Sequence, residues 1–207
     1  MSDGRGVSIL GRFTAALCVG SAALGVAAAI PGPARASTVA RVCPAPGPGQ
    51  ATCFVERLVT PSNRSRLLAP MDQLGSVIAP AGYGPADIQS AYNLPAGGFG
   101  KTVAVIDAFD LPTADSDLAT YRSQFGLPPC TIANGCFRKV NQFGENAPLP
   151  LPDAGWGAEI ASDLDMVSAA CPDCSIMLVE ANSASLEDLA AAANEAALFQ
   201  PAAISNS

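Results

Sequence analysis

The sequence predicts an α/β fold: a doubly wound parallel sheet, incomplete because it breaks off after the first few strands. Three observations predict it. The runs "KTVAVIDAFD", "FRKVNQF" and "SIMLVEA" have the β-branched and aliphatic character of strands, the first and third of them of the type buried on both faces. Stretches of helical periodicity with their own start and stop signals separate them. A last strand-like piece, "AAISNS", follows the final helical stretch. Strand, helix and strand in alternation require parallel pairing through right-handed crossovers. A doubly wound sheet rarely finishes on a fresh strand with an open edge, so the expectation is the front part of a larger domain.

The elements follow in chain order. Arg5 and Arg12 flank the apolar run "FTAALCVGSAALGVAAAI", and "ARA" at Ala34 to Ala36 offers a small-x-small cleavage site. Residues 1–36 therefore read as an export signal, with a membrane anchor as the alternative that the length of the apolar run leaves open. Residues 37–82 read as a short leader or pro-segment, rich in Pro and Gly. Within it "RVCPAPGPGQATC" forms a bridged loop or short hairpin. Residues 83–207 hold the organised domain. "GPADIQSAYNL" opens it as a short helix, with Pro85 in the first turn and Ile88 and Tyr92 on one face. After a glycine-marked turn comes the first strand, which should emerge from the sheet at Asp107. "TADSDLATYRSQFG" is a helix carrying Leu118, Tyr121 and Phe125 at helical spacing, stopped by Gly126. The second strand, "FRKVNQF", leads to the Pro-rich "NAPLPLPDAG", which excludes regular structure. A helix over roughly Trp156 to Ala170 precedes the third strand. "SLEDLAAAANEAALF" is a helix capped by Ser185, with Asp188 reaching back in a capping box.

Composition excludes several functions. With net charge −7 there is no basic footprint for nucleic acid and no polybasic patch for anionic lipid. No segment after the signal is long and apolar enough to span a bilayer. There is no histidine at all, which rules out a Ser-His-Asp triad, a Cys-His dyad and His-ligated zinc built from this chain alone. Acid–base work falls to carboxylates, Lys, Tyr or Cys.

Export also sets the redox context. Of seven cysteines, Cys18 leaves with the signal. Cys43, Cys53, Cys130, Cys136, Cys171 and Cys174 remain, an even set in three close pairs, and local disulfides are expected. "CPDC" at Cys171 to Cys174 follows a helix and precedes a strand. The helix dipole there opposes thiolate formation, so the motif reads as a structural bridge and not a redox site. A four-cysteine zinc site from Cys130, Cys136, Cys171 and Cys174 is disfavoured by its wide first spacing and by the compartment.

The chemistry gathers in "WGAEIASDLDMV". Glu159 and Asp163 lie four apart on a helix, about 5–6 Å between Cβ atoms, which costs roughly 0.2–0.5 kcal/mol if both are ionised and exposed. Ile160, Leu164 and Val167 form the buried stripe beside them. No cation lies within a helical turn, and the Gly- and Pro-rich approach suits the wall of a cleft. Two adjacent carboxylates share a proton, raising one apparent pKa and forming a proton relay that can activate a hydroxyl nucleophile in mild acid. A simple solvated acidic face is the plain alternative. Asp107 ends the first strand, as a structural residue or a neighbour of the pair. Asp165 points about 200° away from Asp163 on the helix, so the two do not share an ion. A retaining glycosidase needs its carboxylates on opposing sides of the sugar, which one helix does not provide.

From about Tyr83 to Ser207 the chain resembles the sedolisin family, serine-carboxyl peptidases with a subtilisin-like α/β fold. The resembling pieces are "YGPADIQSAYNLP", "VAVIDAFD", "EIASDLD", "LVEA" and "ISNS", and the Glu-x-x-x-Asp spacing is the specific one. The resemblance implies a secreted endopeptidase acting on polypeptide, in which Glu159 is the general base for a serine and Asp163 orients and buffers it. It also implies a nucleophilic serine, an oxyanion-hole Asp and a calcium site lying beyond "ISNS". No nucleophile, cofactor or metal is therefore expected in this chain, and neither Ser205 nor Ser207 is nominated. The large folded pro-domain common in the family is not expected, since only about 45 residues separate the cleavage site from Tyr83. The chain alone should be inactive. A non-enzymatic secreted binding module that retains the fold is the alternative.

Overall fold

The computed structural model describes residues 38–59 and 82–207. The expected export signal, and residues 60–81 of the expected leader, lie outside them. Two elements come from the leader region: β1 (Thr38–Arg41) and β2 (Glu56–Val59) pair antiparallel, from Thr38 opposite Val59 to Arg41 opposite Glu56. The loop between them is closed by a Cys43–Cys53 disulfide. Then follow α1 (Pro85–Ala91), β3 (Thr102–Ala108), α2 (Ala114–Gln124), β4 (Phe137–Asn141), α3 (Ala154–Ala170), β5 (Ser175–Ala181), α4 (Leu186–Leu198) and β6 (Ala203–Asn206).

β3 runs through the middle of a four-stranded parallel sheet of order β4-β5-β3-β6. Its whole length pairs with β5, from Thr102 opposite Ser175 to Ala108 opposite Ala181. Because side chains alternate along a strand, each strand feeds both faces. Val105, Phe137, Ile176 and Leu178 meet Leu118 of α2 and Ile160 and Leu164 of α3. Ala104, Ile106, Val140, Met177 and Val179 meet Ala192 and Ala196 of α4 on the other face. Burial on both faces is why β3 and β5 read as nearly continuous apolar runs. The fold is thus α/β with a parallel sheet, and β6 forms one edge of it.

Local details depart from the sequence expectations in three places. Asp107 does not emerge from the sheet: β3 continues to Ala108, and Asp107 is fully buried. At the end of α2, Tyr121 and Phe125 pack as a tilted pair with ring centroids 4.8 Å apart and stay half-buried, while Arg122 takes the inward position. Arg122 donates to the carbonyls of Pro128 and Pro172 at 2.5 Å each and to Ser168 Oγ at 3.0 Å, so its charge is buried among main-chain acceptors. At α4, Ser185 Oγ does accept from Asp188 N at 3.1 Å. The Asp188 carboxylate, however, accepts from Ser183 Oγ and Gln142 Nε2, and the Ser185 N–H turns to Ser183 Oγ. A hydroxyl two residues upstream has taken over half of the capping box.

Disulfides Cys130–Cys136 and Cys171–Cys174 join the remaining near pairs. The latter bridge lies against Gly98, whose φ is +108°; a Cβ there would stand 2.3 Å from Cys171 Sγ and 2.8 Å from Cys174 Sγ. Gly98→Ala therefore combines a disfavoured backbone with a collision against a rigid bridge. It is expected to destabilise the domain by about 2–4 kcal/mol, read as a lowered urea midpoint at unchanged slope. A variant as stable as the parent would show that this turn is free to move.

Candidate active site

α3 positions two of the three predicted residues. Its start is set by Asp153, whose carboxylate accepts from Gly155 N and Trp156 N at 2.9 Å each, an N-cap that also complements the helix dipole. With that register, Ile160 and Leu164 go into the core and Glu159 and Asp163 fall together beside them, toward the sheet. Glu159 is 8 % exposed and its Oε2 accepts the backbone N–H of Val55 at 2.7 Å. Asp163 is half-buried and its Oδ2 accepts the hydroxyl of Ser207.

The sheet brings two further carboxylates to the same side. Asp107 follows Val105 by two residues and Glu180 follows Leu178 by two, so both face the α2/α3 side, and they lie opposite each other in the β3–β5 register. Asp107 is 0 % exposed and neither of its oxygens has a hydrogen-bond partner. Burial, and then the charges of Asp163, Glu159 and Glu180 in that order, push its pKa well above the ordinary aspartate value; the nearby Ser207 hydroxyl offsets little of this. Burial likewise raises Asp163, against the Ser207 hydrogen bond. Removal from water disfavours the charged form of both, and for Asp107 the neighbouring like charges add to it.

Glu180 is pushed up to about 8, chiefly by burial. Lys139 Nζ lies 3.6 Å from Glu180 Oε1, but that ammonium is bonded to Asp110 and to the Leu111 carbonyl. Leu111 N donates to Glu180 Oε1 at 3.1 Å, and Glu180 Oε2 is left without a partner. Lys139, Asp110 and Glu180 thus pin the loop that follows β3. Asp165 belongs elsewhere. It faces α2, where burial and the neighbouring Asp117 raise it to about 7.

Asp107, Glu159 and Asp163 are therefore placed in one cluster at the carboxyl end of β3, where open α/β sheets carry their ligands. Among the described residues, no Lys or Arg nitrogen comes within 4.0 Å of any of the three. Nor is any described group of three or more His, Cys, Asp or Glu side chains arranged to hold a metal ion. Sequence reasoning missed Glu180, whose signal was visible as an acid inside the apolar "SIMLVEA". It also set aside Ser207, and it had no means of finding Val55, which acts through its main chain.

Three disulfides fit an oxidising compartment, and no described helix is long and apolar enough to cross a membrane. No family model and no curated protein matches the chain. Among solved structures it is similar to Pseudomonas sedolisin, a serine-carboxyl proteinase complexed with two molecules of pseudo-iodotyrostatin. Identity is 18 % over 59 % of this chain and 34 % of that one, with a TM-score of 0.48. The chain therefore spans about a third of that protein's length.

Proposed function

We propose that this chain carries the proton-transfer half of a secreted serine-carboxyl endopeptidase of the sedolisin type, exported by a signal over residues 1–36. The observation that supports it is the cluster itself: Glu159 and Asp163 stacked on one helix over the fully buried Asp107, with no cation among the described residues to neutralise them. Such an arrangement is costly for a fold and useful for chemistry, since carboxyl groups whose surroundings differ divide into proton holders and a proton acceptor.

In this reading Glu159 is the proton acceptor, beside Asp163 and Asp107, whose carboxyl groups burial raises above the ordinary aspartate value. A serine hydroxyl, supplied by a second half that follows Ser207 in a longer chain, attacks the carbonyl carbon of a peptide bond as its proton passes to Glu159. Glu159 then protonates the departing amine, leaving an acyl-serine ester. Water adds to that ester with its proton going to Glu159, and the proton returns to the serine oxygen as the acid product leaves. Asp163 orients Glu159 and buffers its charge. The substrate is polypeptide.

The test compares this chain with a longer one bearing a serine-containing second half, on a denatured protein substrate between pH 3 and 7. The longer chain is expected to hydrolyse it with an acid optimum and this chain to be silent. Hydrolysis by this chain would overturn the assignment of the nucleophile to other residues. Silence of a correctly folded longer chain would favour a binding module instead.

A further inference from the structure

We propose that the disulfide-closed segment Cys43–Cys53 and the residues after it are a working part of the acidic site, presenting the backbone N–H of Val55 as the donor that fixes the Glu159 carboxylate. The inference rests on the reading of Glu159 as the base, and it makes Val55 a positioning residue. It also gives the segment a task that a detachable leader would not have.

The contact is built from both sides. On the hairpin, Val55 is held by its own carbonyl, which accepts from Val42 N at 3.3 Å, and by the Cys43–Cys53 bridge just before it. The loop is fastened to the domain at a second place: Ala51 N donates to the Ala184 carbonyl at 2.8 Å and Leu186 N to the Gly49 carbonyl at 3.0 Å. The second bond also satisfies an otherwise orphaned amide at the start of α4. Cys43 and Cys53 are buried against Ala108, Trp156 and Ala184, at the ends of β3 and β5 and the first turn of α3.

On the domain, α3 makes room for the bridge. A Cβ at Gly155 would stand 2.8 Å from Cys43 Sγ. Glycine is a poorer helix former than alanine, so the first turn of α3 carries the residue without a Cβ at the position where the disulfide comes down. A Glu side chain without a partner would retain rotamer freedom. One main-chain donor held at several points removes that freedom, at the residue that must be in place when a hydroxyl arrives.

The chain carries a single tryptophan, and Trp156, 4 % exposed under the hairpin, reports docking by its emission. The experiment records that emission together with the side-chain 13Cδ resonance of Glu159 in the full chain with 13C-labelled glutamate, assigned by its loss in Glu159→Gln. Val55→Pro removes the N–H, while also fixing φ and exchanging the side chain that packs beside the bridge. It is expected to leave the Trp156 emission at its buried wavelength and to shift the Glu159 resonance. If proline unseats the hairpin, an amide-to-ester replacement at Val55 removes the same donor without a ring, and the same pair of readings applies. Gly155→Ala, which favours the helix but collides with Cys43, is expected to move both signals together. An unmoved Glu159 resonance, in a Val55 variant that stays docked or in Gly155→Ala with Trp156 exposed, would overturn the proposal. The resonance reports the carboxylate's surroundings whether or not any peptide is cleaved. Failure of the peptidase reading would therefore show in hydrolysis alone, and failure of this inference in the resonance alone.

Discussion

Stability of the domain is expected to fall as pH rises from about 4 to about 8. Asp165 and Glu180 are raised by burial to about 7 and about 8, from 3.8 and 4.5, and Asp107 and Asp163 are raised as well. For a carboxyl group whose pKa is higher folded than unfolded, the folded chain holds a proton that the unfolded chain has released. The stability this represents is fully present below the unfolded value and is lost as pH climbs through the folded one. Each such group contributes at most about 1.4 kcal/mol per pH unit within its window, and partial exposure of Asp165 lowers its share through solvent screening. Asp188 acts in the opposite sense. Its hydrogen bonds to Ser183, Gln142 and Ser185 hold it below 3.8, so the stability it contributes is lost only in stronger acid. Maximum stability therefore lies near pH 4. A net loss of about 3 kcal/mol by pH 7.5 would lower Tm by about 6–12 °C, measured by circular dichroism at pH 4.5, 6 and 7.5. Glu180→Gln should flatten the upper part of the curve. A Tm that rises with pH over this range would show that these carboxyl groups ionise freely in the folded chain.

Replacing Glu159 by Gln in a longer chain that carries the serine is expected to lower kcat by about 10²–10⁴-fold, the usual worth of a positioned general base. The change is nearly isosteric. A Gln carbonyl can still accept the Val55 N–H that Glu159 Oε2 accepts at 2.7 Å, so the hairpin contact and the fold survive while the ability to take a proton does not. Loss should therefore appear in kcat with KM little changed, the pattern of an interaction made at the transition state. Asp163→Asn keeps the acceptor for Ser207 and removes only the titrating group. It is expected to cost less and to move the acid limb of the pH profile, because Asp163 acts through Glu159. Full activity in Glu159→Gln would remove that residue from the reaction and the peptidase proposal with it.

The parts of this molecule legible in the sequence are those governed by local chemistry. β3 and β5 were visible because strands covered on both faces must be apolar throughout. α3 was visible because Ile160, Leu164 and Val167 recur at the helical period. The Glu159–Asp163 stack follows from helical geometry alone. Glu180 was half-legible, a charge within an apolar run, but nothing local indicates that its partner is Lys139 on β4. Asp107 was placed at the right strand end and assigned the wrong exposure, since its depth depends on which helix crosses above it.

By itself the sequence determined the periodicities, the helix cap at Ser185, the near cysteine pairs, and an acid–base inventory without imidazole, all features that span a few residues or none. Only the tertiary structure decided that β3 lies between β5 and β6, that the fully buried Asp107 joins the α3 carboxylates, and that Val55, 104 residues upstream, donates to Glu159. These contacts join residues far apart in the chain. Their energies depend on solvent exclusion and backbone direction, quantities that exist only once the layers have closed.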